Sequence, residues 1–178
     1  TSVNLDSWML TKAYNQDLFA KGSRGMDMAV VEGVMGLFDG TPSSADLAER
    51  FGIPLALVMD VKGMAQTAGA LAAGLSHYRP ALQFAGLIAN GCASDRHREL
   101  IEEALPESFP ILATLAQDEG MTLPERHLGL VQASEMAAEL EERFEYGAAH
   151  VTGDRFALQY DQLFNVVTTP FKIVVQRR

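Results

Sequence analysis

The sequence has few of the residues that build disulfides, zinc sites and nucleic-acid surfaces. One cysteine, Cys92, occurs among 178 residues, which excludes an internal disulfide and a CxxC metal site and favours a reducing, cytoplasmic setting. Lys and Arg number 14 against 23 Asp and Glu, for a net charge of −9. Because a nucleic-acid surface needs clustered basic side chains, we expect no nucleic-acid partner.

Long apolar runs are also missing. No stretch approaches the roughly 20 residues that cross a bilayer, and no signal peptide precedes the first predicted strand, so we expect no membrane association. The remaining composition, 48% hydrophobic and 21% charged, is ordinary for a soluble globular domain. An acidic substrate is still compatible with the negative charge, because a bound magnesium ion can reverse the field inside one pocket.

Short apolar runs alternate with helical patterns along the chain. The runs predict strands at residues 26–31, 54–59, 84–89, 110–115 and 171–175. The helical patterns cover residues 6–20, 65–75 and 134–146, with two more helices capped by Ser43–Asp46 and by Ser94. Strands that are apolar throughout must be covered on both faces, so the pattern predicts a three-layer α/β domain with a mostly parallel sheet. We expect this domain to fill residues 1–147, with residues 148–178 as a C-terminal extension.

The first of these helices is predicted from apolar spacing. Trp8, Met9, Leu18 and Phe19 recur at nearly helical intervals, and Gly22 stands where a C-terminal cap is expected. This spacing predicts a helix over residues 6–20 that includes Trp8 and Met9.

The most informative stretch is residues 31–40, here named the glycine-rich segment. Glu32 follows the first predicted strand, and Gly33, Gly36, Asp39 and Gly40 complete the segment. Glycine lets the backbone pass close to a charged ligand, since no Cβ intervenes. A carboxylate at the carboxyl end of a parallel strand faces the crevice where such sheets bind ligands. The segment therefore predicts a magnesium–nucleotide or anionic-substrate site, with Glu32 as an oxygen ligand for magnesium.

Two further polar residues end predicted strands. Asp60 and Asn90 follow the second and third runs, so they are expected to converge with Glu32 at one edge of the sheet. The amide of Asn90 could pair with the edge of adenine. Asp and Asn are also common at strand ends because they start turns and cap helices, and this alternative stays open. Similarly, the helix start at residues 94–97 could bind a carboxylate or phosphate, or be an ordinary exposed cap.

Several segments together resemble the cobyrinic acid a,c-diamide synthases, glutamine-dependent amidotransferases of corrin biosynthesis. The resemblance runs in order and at similar spacing from residue 1 to about 133, over residues 2–6, 31–40, 54–63, 86–90 with 94–97, and 126–131. It implies a ligase domain of the P-loop NTPase, dethiobiotin synthetase-like type. In this family ATP phosphorylates a side-chain carboxylate of a tetrapyrrole, and ammonia released from glutamine displaces the phosphate.

The resemblance also implies roles for individual residues. Glu32 would ligate Mg²⁺ and Asp39 would be catalytic. The residues that contact ATP would be Gly33, Asp60 and Asn90, with Asn90 at the adenine. The residues that contact the tetrapyrrole substrate would be Asn4, Asp6, Ser94, Asp95, Arg96 and His97. A glutaminase domain or a separate glutaminase chain would be the partner that supplies ammonia.

The sequence departs from the family in two ways. It contains no G-x-x-x-x-G-K-[ST] motif, which the family carries just upstream of the region where Thr1 begins, and Cys92 lies in the wrong context for a glutaminase nucleophile. We therefore expect the incomplete core of a parent enzyme, unable to hydrolyse ATP by itself. One alternative is a non-catalytic domain that binds a tetrapyrrole, a nucleotide or a partner, including a homodimer through an exposed sheet edge. Another is an amidase of a different tetrapyrrole, such as sirohydrochlorin or sirohaem.

Overall fold

A computed structural model describes residues 3–6, 8–26, 29–33, 35–121, 137–151 and 173–176. In these ranges the chain forms α1 (Lys12–Gly22), α2 (Ser44–Phe51), β1 (Leu55–Asp60), α3 (Gln66–Tyr78), β2 (Phe84–Asn90), α4 (Asp95–Glu102), β3 (Ile111–Leu115), a 3-10 turn (Glu119–Met121), α5 (Ala137–Val151) and β4 (Ile173–Gln176). None of the helices in the described ranges combines the length and the apolar character that crossing a bilayer requires.

The strands of the described residues form one parallel sheet in the order β3-β2-β1-β4. β1 pairs with β2 from Leu55 opposite Phe84 to Asp60 opposite Asn90. β4 lies on the other side of β1, and β3 lies outside β2. Parallel strands need crossover connections, and here α3 and α4 supply them between β1, β2 and β3. The predicted α/β class with a parallel sheet is confirmed.

One face of the sheet packs against α3 and α4. The buried cluster on this face contains Leu57, Met59, Ala68, Ala72, Leu87, Ala89, Ile101 and Ile111, among others. Side chains two apart on a strand share a face, which explains why alternate residues of β1 and β2 belong to this cluster. α3 lies close to the end of α4 at Gly69, where an added Cβ would be 2.7 Å from the carbonyl oxygen of Ile101 and 2.6 Å from the Cβ of Ala104, just after α4.

A second buried cluster joins α2 and the glycine-rich segment to the amino end of β1. It is formed by Leu37, Ala45, Ala48, Ile53, Leu55 and Leu82. The predicted capping box is confirmed at the start of α2: Ser43 Oγ accepts from the Asp46 N–H (3.2 Å) and Asp46 Oδ2 accepts from the Ser43 N–H (2.7 Å). Leu37 is buried in the cluster, and its carbonyl accepts from the Ala45 N–H at 2.9 Å. These contacts of Leu37 fix the glycine-rich segment to the second cluster and to α2.

The first predicted helix is wrong over its opening residues. The helix begins at Lys12 rather than at residue 6, with Thr11 Oγ1 accepting from the Tyr14 N–H as its N-cap. Before it, Asp6 Oδ1 accepts from the N–H groups of Trp8 and Met9 at 2.8 and 2.9 Å. An Asp side chain that binds nearby backbone donors competes with helix formation. Trp8 and Met9, which the apolar spacing placed in the predicted helix, lie before α1 and are each 81% exposed.

The predicted strand at residues 26–31 is also wrong over its described residues. Met26 and residues 29–31 form no strand, and Met26 and Val30 are 58% and 61% exposed. A strand requires a neighbouring strand for its backbone hydrogen bonds, and β1 already has β2 on one side and β4 on the other. Residues 27 and 28 lie outside the described residues.

The other predicted elements agree with the structure. The runs at residues 54–59, 84–89 and 110–115 are confirmed as β1, β2 and β3, and the run at 171–175 corresponds to β4, whose described part starts at Ile173. The helix predicted at 65–75 is α3, which continues to Tyr78, and the one predicted at 134–146 is α5, described from Ala137. The division between residues 147 and 148 stays a prediction.

Candidate functional site

The glycine-rich segment and the N-terminal segment (residues 3–6) line a cavity of about 340 Å³, here named the Glu32 cavity. Both segments also line a neighbouring cavity of about 590 Å³, which shares Glu32 with it. The N-terminal segment contributes Asn4 and Asp6, and the glycine-rich segment contributes Glu32, Gly33 and Asp39. Candidates from two parts of the chain, singled out by sequence alone, are therefore brought together. The start of α2 also lines the cavity, through Ser43 and Ser44.

The Glu32 cavity has an acidic lining. Asp6, Glu32 and Asp39 line it, whereas no Lys, Arg or His of the described residues does. In the described part of the chain, no group of three or more His, Cys, Asp or Glu side chains is arranged to hold a metal ion. Mg²⁺ commonly binds through only one or two carboxylates and completes its shell with water and substrate phosphates. The exposed carboxylate of Glu32 fits that kind of site.

The position of Asp39 depends on Gly36. The Asp39 N–H donates to the Gly36 carbonyl at 2.9 Å, which closes a tight turn. The carboxylate lies against the Gly36 backbone so closely that a Cβ there would be 2.2 Å from Asp39 Oδ2. Gly40 follows with a φ of +85°, a conformation that side-chain-bearing residues rarely adopt. Two glycines are therefore required to shape the backbone around this carboxylate.

The end of α3 supports the glycine-rich segment from the side. Phe38 packs against Tyr78 with ring centroids 4.6 Å apart, and the guanidinium of Arg79 lies 5.7 Å from the Phe38 ring. Arg79 also pairs with Asp46 in α2 at 2.7 Å. Hydrogen bonds from the Ser43 backbone and from Arg79 lower the pKa of Asp46 to about 2. The segment is thus held between α2 and α3 without using its own acidic side chains.

Asp60 and Asn90 lie side by side at the ends of β1 and β2, as predicted. They are not among the residues that line the Glu32 cavity. Asp60 Oδ1 accepts from the Lys62 N–H at 2.9 Å, which is the ordinary turn-forming role of a strand-end Asp. The expectation that Glu32 ends a neighbouring strand is wrong, because no strand forms before it in the described residues.

The helix start at residues 94–97 borders a separate cleft of about 390 Å³, here named the Ser94 cleft. Ser94 and Asp95 line it together with Thr114 and Asp118. Ser94 caps α4 by accepting from the His97 N–H at 3.1 Å. On the far side, the Tyr146 hydroxyl donates to Asp118 Oδ2 at 3.0 Å and so links α5 to the 3-10 turn.

Arg96 and His97 line neither the Glu32 cavity nor the Ser94 cleft. Nδ1 of His97 accepts from the Ala93 N–H at 3.1 Å, and its Nε2 donates to the Met64 carbonyl. The ring therefore ties the start of α4 to the loop after β1. Arg96 pairs with Glu99 at 3.0 Å on the helix surface.

Cys92 is unsuited to nucleophilic chemistry. It lines the Ser94 cleft, but only 5% of its surface is exposed. Burial raises the pKa of its thiol, so the thiolate is disfavoured. This agrees with the prediction that Cys92 does not replace a glutaminase nucleophile.

Sequence reasoning did not name several residues of the Glu32 cavity as candidates, among them two large apolar ones. Trp8 and Met35 line it and are 81% and 58% exposed. A signal for Trp8 was present: Thr11 is a favoured helix N-cap residue and Asp6 favours a local turn, which together move the helix start past Trp8.

Comparison with known proteins assigns the family. The chain is 48% identical over 144 residues to the hydrogenobyrinate a,c-diamide synthase of Stutzerimonas stutzeri, and 45% identical over 144 residues to that of Pseudomonas aeruginosa. Each match covers 81% of this chain and 33% of the relative. The chain belongs to the cobyrinate a,c-diamide synthase family. A cobyrinate a,c-diamide synthase of Synechocystis is 35% identical over 176 residues, covering 94% of the chain and 36% of that protein.

The match to the Synechocystis protein covers more of the chain than the motifs that resemble the family, which end at about residue 133. Coverage of 94% of 178 residues extends well past residue 133, where the resemblance stopped. The chain spans about a third of the length of the curated relatives that it matches. No family model and no solved structure matches it.

Proposed function

We propose that the protein to which this chain belongs is an ATP-dependent amide ligase that converts side-chain carboxylates of a corrin-type tetrapyrrole into amides. The observation that carries the proposal is the Glu32 cavity, in which Glu32 and Asp39 meet the N-terminal segment. It occurs in a chain that is 48% identical to a protein named hydrogenobyrinate a,c-diamide synthase. The substrate would be hydrogenobyrinate or cobyrinate, the compounds that the names of the relatives contain.

The chemistry of amide formation explains why such a site needs both a magnesium ion and a carboxylate that can accept a proton. A carboxylate does not react with ammonia, because oxide is a poor leaving group. When bound, magnesium ATP supplies the phosphoryl group that converts the carboxylate into an acyl phosphate, and phosphate then leaves as ammonia attacks the carbonyl carbon. Glu32 would hold the magnesium through its exposed carboxylate. Asp39, in the same cavity, would accept the proton that the attacking nitrogen loses.

The remaining candidate residues would contact or support the binding of either the nucleotide or the tetrapyrrole. Gly33 would let a phosphate approach the backbone, and Asp60 and Asn90 would contact the nucleotide from the adjacent strand ends. Asn4 and Asp6 would contact the carboxylate arm of the tetrapyrrole inside the Glu32 cavity. The other candidates are assigned to the Ser94 cleft or to its support: Ser94 and Asp95 would contact a ligand there, whereas Arg96 and His97 would hold α4 in place.

The acidic lining implies that other parts of the enzyme take part. Described cationic side chains are absent from the Glu32 cavity, so the groups that cradle the phosphates would come from the two thirds of the relatives' length that this chain does not span. The ammonia would likewise come from a glutaminase domain or chain.

The test is amide formation by the full-length protein, followed by mass spectrometry of the tetrapyrrole and by assay of ADP. We expect hydrogenobyrinate or cobyrinate to gain two amides in a reaction that requires magnesium, ATP and glutamine. The 178-residue chain alone should release no ADP. If the protein amidates sirohydrochlorin in preference to both compounds, sirohydrochlorin is the substrate instead. Binding of a tetrapyrrole without ATP and without amidation would contradict the proposal.

A further inference from the structure

Trp8 is held at the mouth of the Glu32 cavity by a well-defined turn. The indole lines the cavity and is 81% exposed. Its backbone N–H donates to Asp6 Oδ1 at 2.8 Å, and the N–H of Met9 donates to the same oxygen at 2.9 Å. The Asp6 carbonyl in turn accepts from Asn15 Nδ2 at 2.9 Å, and Asn15 is fully buried. The exposed indole is therefore carried by a fixed backbone.

Met35 offers a second large apolar side chain at the same cavity. It belongs to the glycine-rich segment, lines the cavity and is 58% exposed. Covering a side chain of this size is favourable, because it removes apolar surface from water. Trp in particular is enriched where a binding surface must contact both an apolar body and water. Two such side chains from separate segments, exposed at one cavity, are typical of a ligand-binding rim.

The size and charge of the cavity restrict what can lie on that rim. At about 340 Å³ it is at the low end of small-molecule sites, which range over roughly 300–1,000 Å³. A carboxylate arm of a tetrapyrrole fits such a volume, but the ring system does not. Glu32 and Asp39 both line the cavity, so a carboxylate arm can enter only with a cation between them. The ring then lies outside the cavity, against Trp8 and Met35, which line this cavity and not the neighbouring one.

We propose that Trp8 binds the ring of the tetrapyrrole at the mouth of the Glu32 cavity, with Met35 as a second apolar contact, while one carboxylate arm enters the cavity. This inference rests on the proposed function and identifies a substrate-binding residue within it. Trp8 contacts the part of the substrate that does not react, so it contributes to binding and orientation and not to proton or phosphoryl transfer.

The test exploits the fact that Trp8 is the only tryptophan of the chain. Hydrogenobyrinate with Mg²⁺ is titrated into the 178-residue chain by calorimetry and by tryptophan fluorescence, with N-acetyltryptophanamide correcting for absorption by the tetrapyrrole. We expect the emission to be quenched with the dissociation constant that calorimetry gives. In calorimetry, Trp8→Ala should weaken binding about tenfold, whereas Trp8→Phe should keep most of the affinity.

Met9→Ala is the matched control. Met9 has the same 81% exposure and donates to the same Asp6 oxygen, but it does not line the cavity, so this variant should bind within twofold of wild type. Equal affinities of Trp8→Ala and Met9→Ala, an unquenched emission at saturation, or no binding by the wild-type chain would each overturn the inference. None of these results depends on amidation by the full-length protein, which tests the proposed function separately.

Discussion

Asn15 Nδ2 donates a 2.9 Å hydrogen bond to the main-chain carbonyl of Asp6, nine residues earlier. The same amide group also donates to the carbonyls of Leu10 and Thr11 at 3.3 Å. Asn15 has no exposed surface, and its Oδ1 has no hydrogen-bond partner among the described residues. A single buried side chain thus closes the turn that presents Asp6 and Trp8 to the Glu32 cavity.

Replacing Asn15 by Leu should destabilise the protein and loosen this turn. The substitution removes a side-chain donor that three main-chain carbonyls share. The carbonyls of Asp6 and Thr11 keep a backbone donor, the N–H of Leu10 and of residue 15, so we expect a loss of about 0.5–1.5 kcal/mol, the net worth of an ordinary hydrogen bond. Urea unfolding measures the loss, and the anisotropy of Trp8 emission reports the loosened turn. Gln16→Leu, at the next and exposed position of α1, should change the free energy of unfolding by less than about 0.5 kcal/mol. Equal stability of the two variants would rule out this role for Asn15.

Two glycines of α3 should respond oppositely to alanine. Gly74 has open space around it, so Gly74→Ala should stabilise the helix by roughly 0.5–1 kcal/mol. At Gly69 the new Cβ would lie 2.7 Å from the carbonyl oxygen of Ile101, and such overpacking typically costs about 1–3 kcal/mol. Urea denaturation followed by circular dichroism measures both. If Gly69→Ala is as stable as Gly74→Ala, α3 and α4 do not pack as described.

Asp46 should make stability depend on acid pH. Its pKa is about 2 in the folded protein, below the value of about 3.9 that an unfolded Asp has. The carboxylate therefore stabilises the fold above pH 4, and this contribution disappears as the pH falls toward 2. About a third of the side chain is exposed, so solvent screening limits the effect, and Asp46→Asn should cost about 1 kcal/mol at pH 7.

The measurement is chemical denaturation of wild type and Asp46→Asn at several pH values between 3 and 7. The difference between them should narrow as the pH falls. Asp17→Asn is the control, since Asp17 forms only an exposed i,i+4 pair with Lys21 and should show little effect at any pH. A difference that is constant from pH 7 to 3 would contradict the role of the Asp46 carboxylate.

Gly36→Ala should impair amidation more than it impairs folding. The added Cβ would lie only 2.2 Å from Asp39 Oδ2, so the carboxylate must move away from its present position. In the full-length protein we expect amide formation to fall by about tenfold or more, because small displacements of reacting groups are costly. The free energy of unfolding should change little, since the displaced group is an exposed side chain. An unchanged amidation rate would show that the position of Asp39 does not matter.

Much of the fold could be predicted because its signals are local. Apolar runs directly after Pro54 and Pro110 define the starts of β1 and β3, since Pro cannot donate to a ladder but is tolerated at a strand start. Ser43 and Ser94 marked the starts of α2 and α4 for an equally local reason. The glycine-rich segment indicated the candidate site for a local reason too, because each of its two carboxylates is followed directly by a glycine, Gly33 after Glu32 and Gly40 after Asp39.

What could not be predicted depends on distant neighbours. Val30 belongs to an apolar run as good as the others, but it pairs with none of the strands in the described residues. Trp8 fits a helical spacing, but the turn that carries it depends on the hydrogen bond from Asn15 to the Asp6 carbonyl. The spacing of apolar residues does not reveal that bond. The contact between Gly36 and the Asp39 carboxylate likewise appears only once the turn is built.

In the proposed function, Glu32 holds the magnesium used in amide formation. The most direct test of this role is the amidation rate of the full-length protein as a function of magnesium concentration, for wild type, Glu32→Gln and the control Glu107→Gln. Glu107 is exposed and lines neither the Glu32 cavity nor the Ser94 cleft, so its variant should match wild type. Glu32→Gln should need about 10–100 times more magnesium and turn over more slowly, with unchanged stability. Wild-type turnover by Glu32→Gln at the same magnesium concentration would contradict the claim.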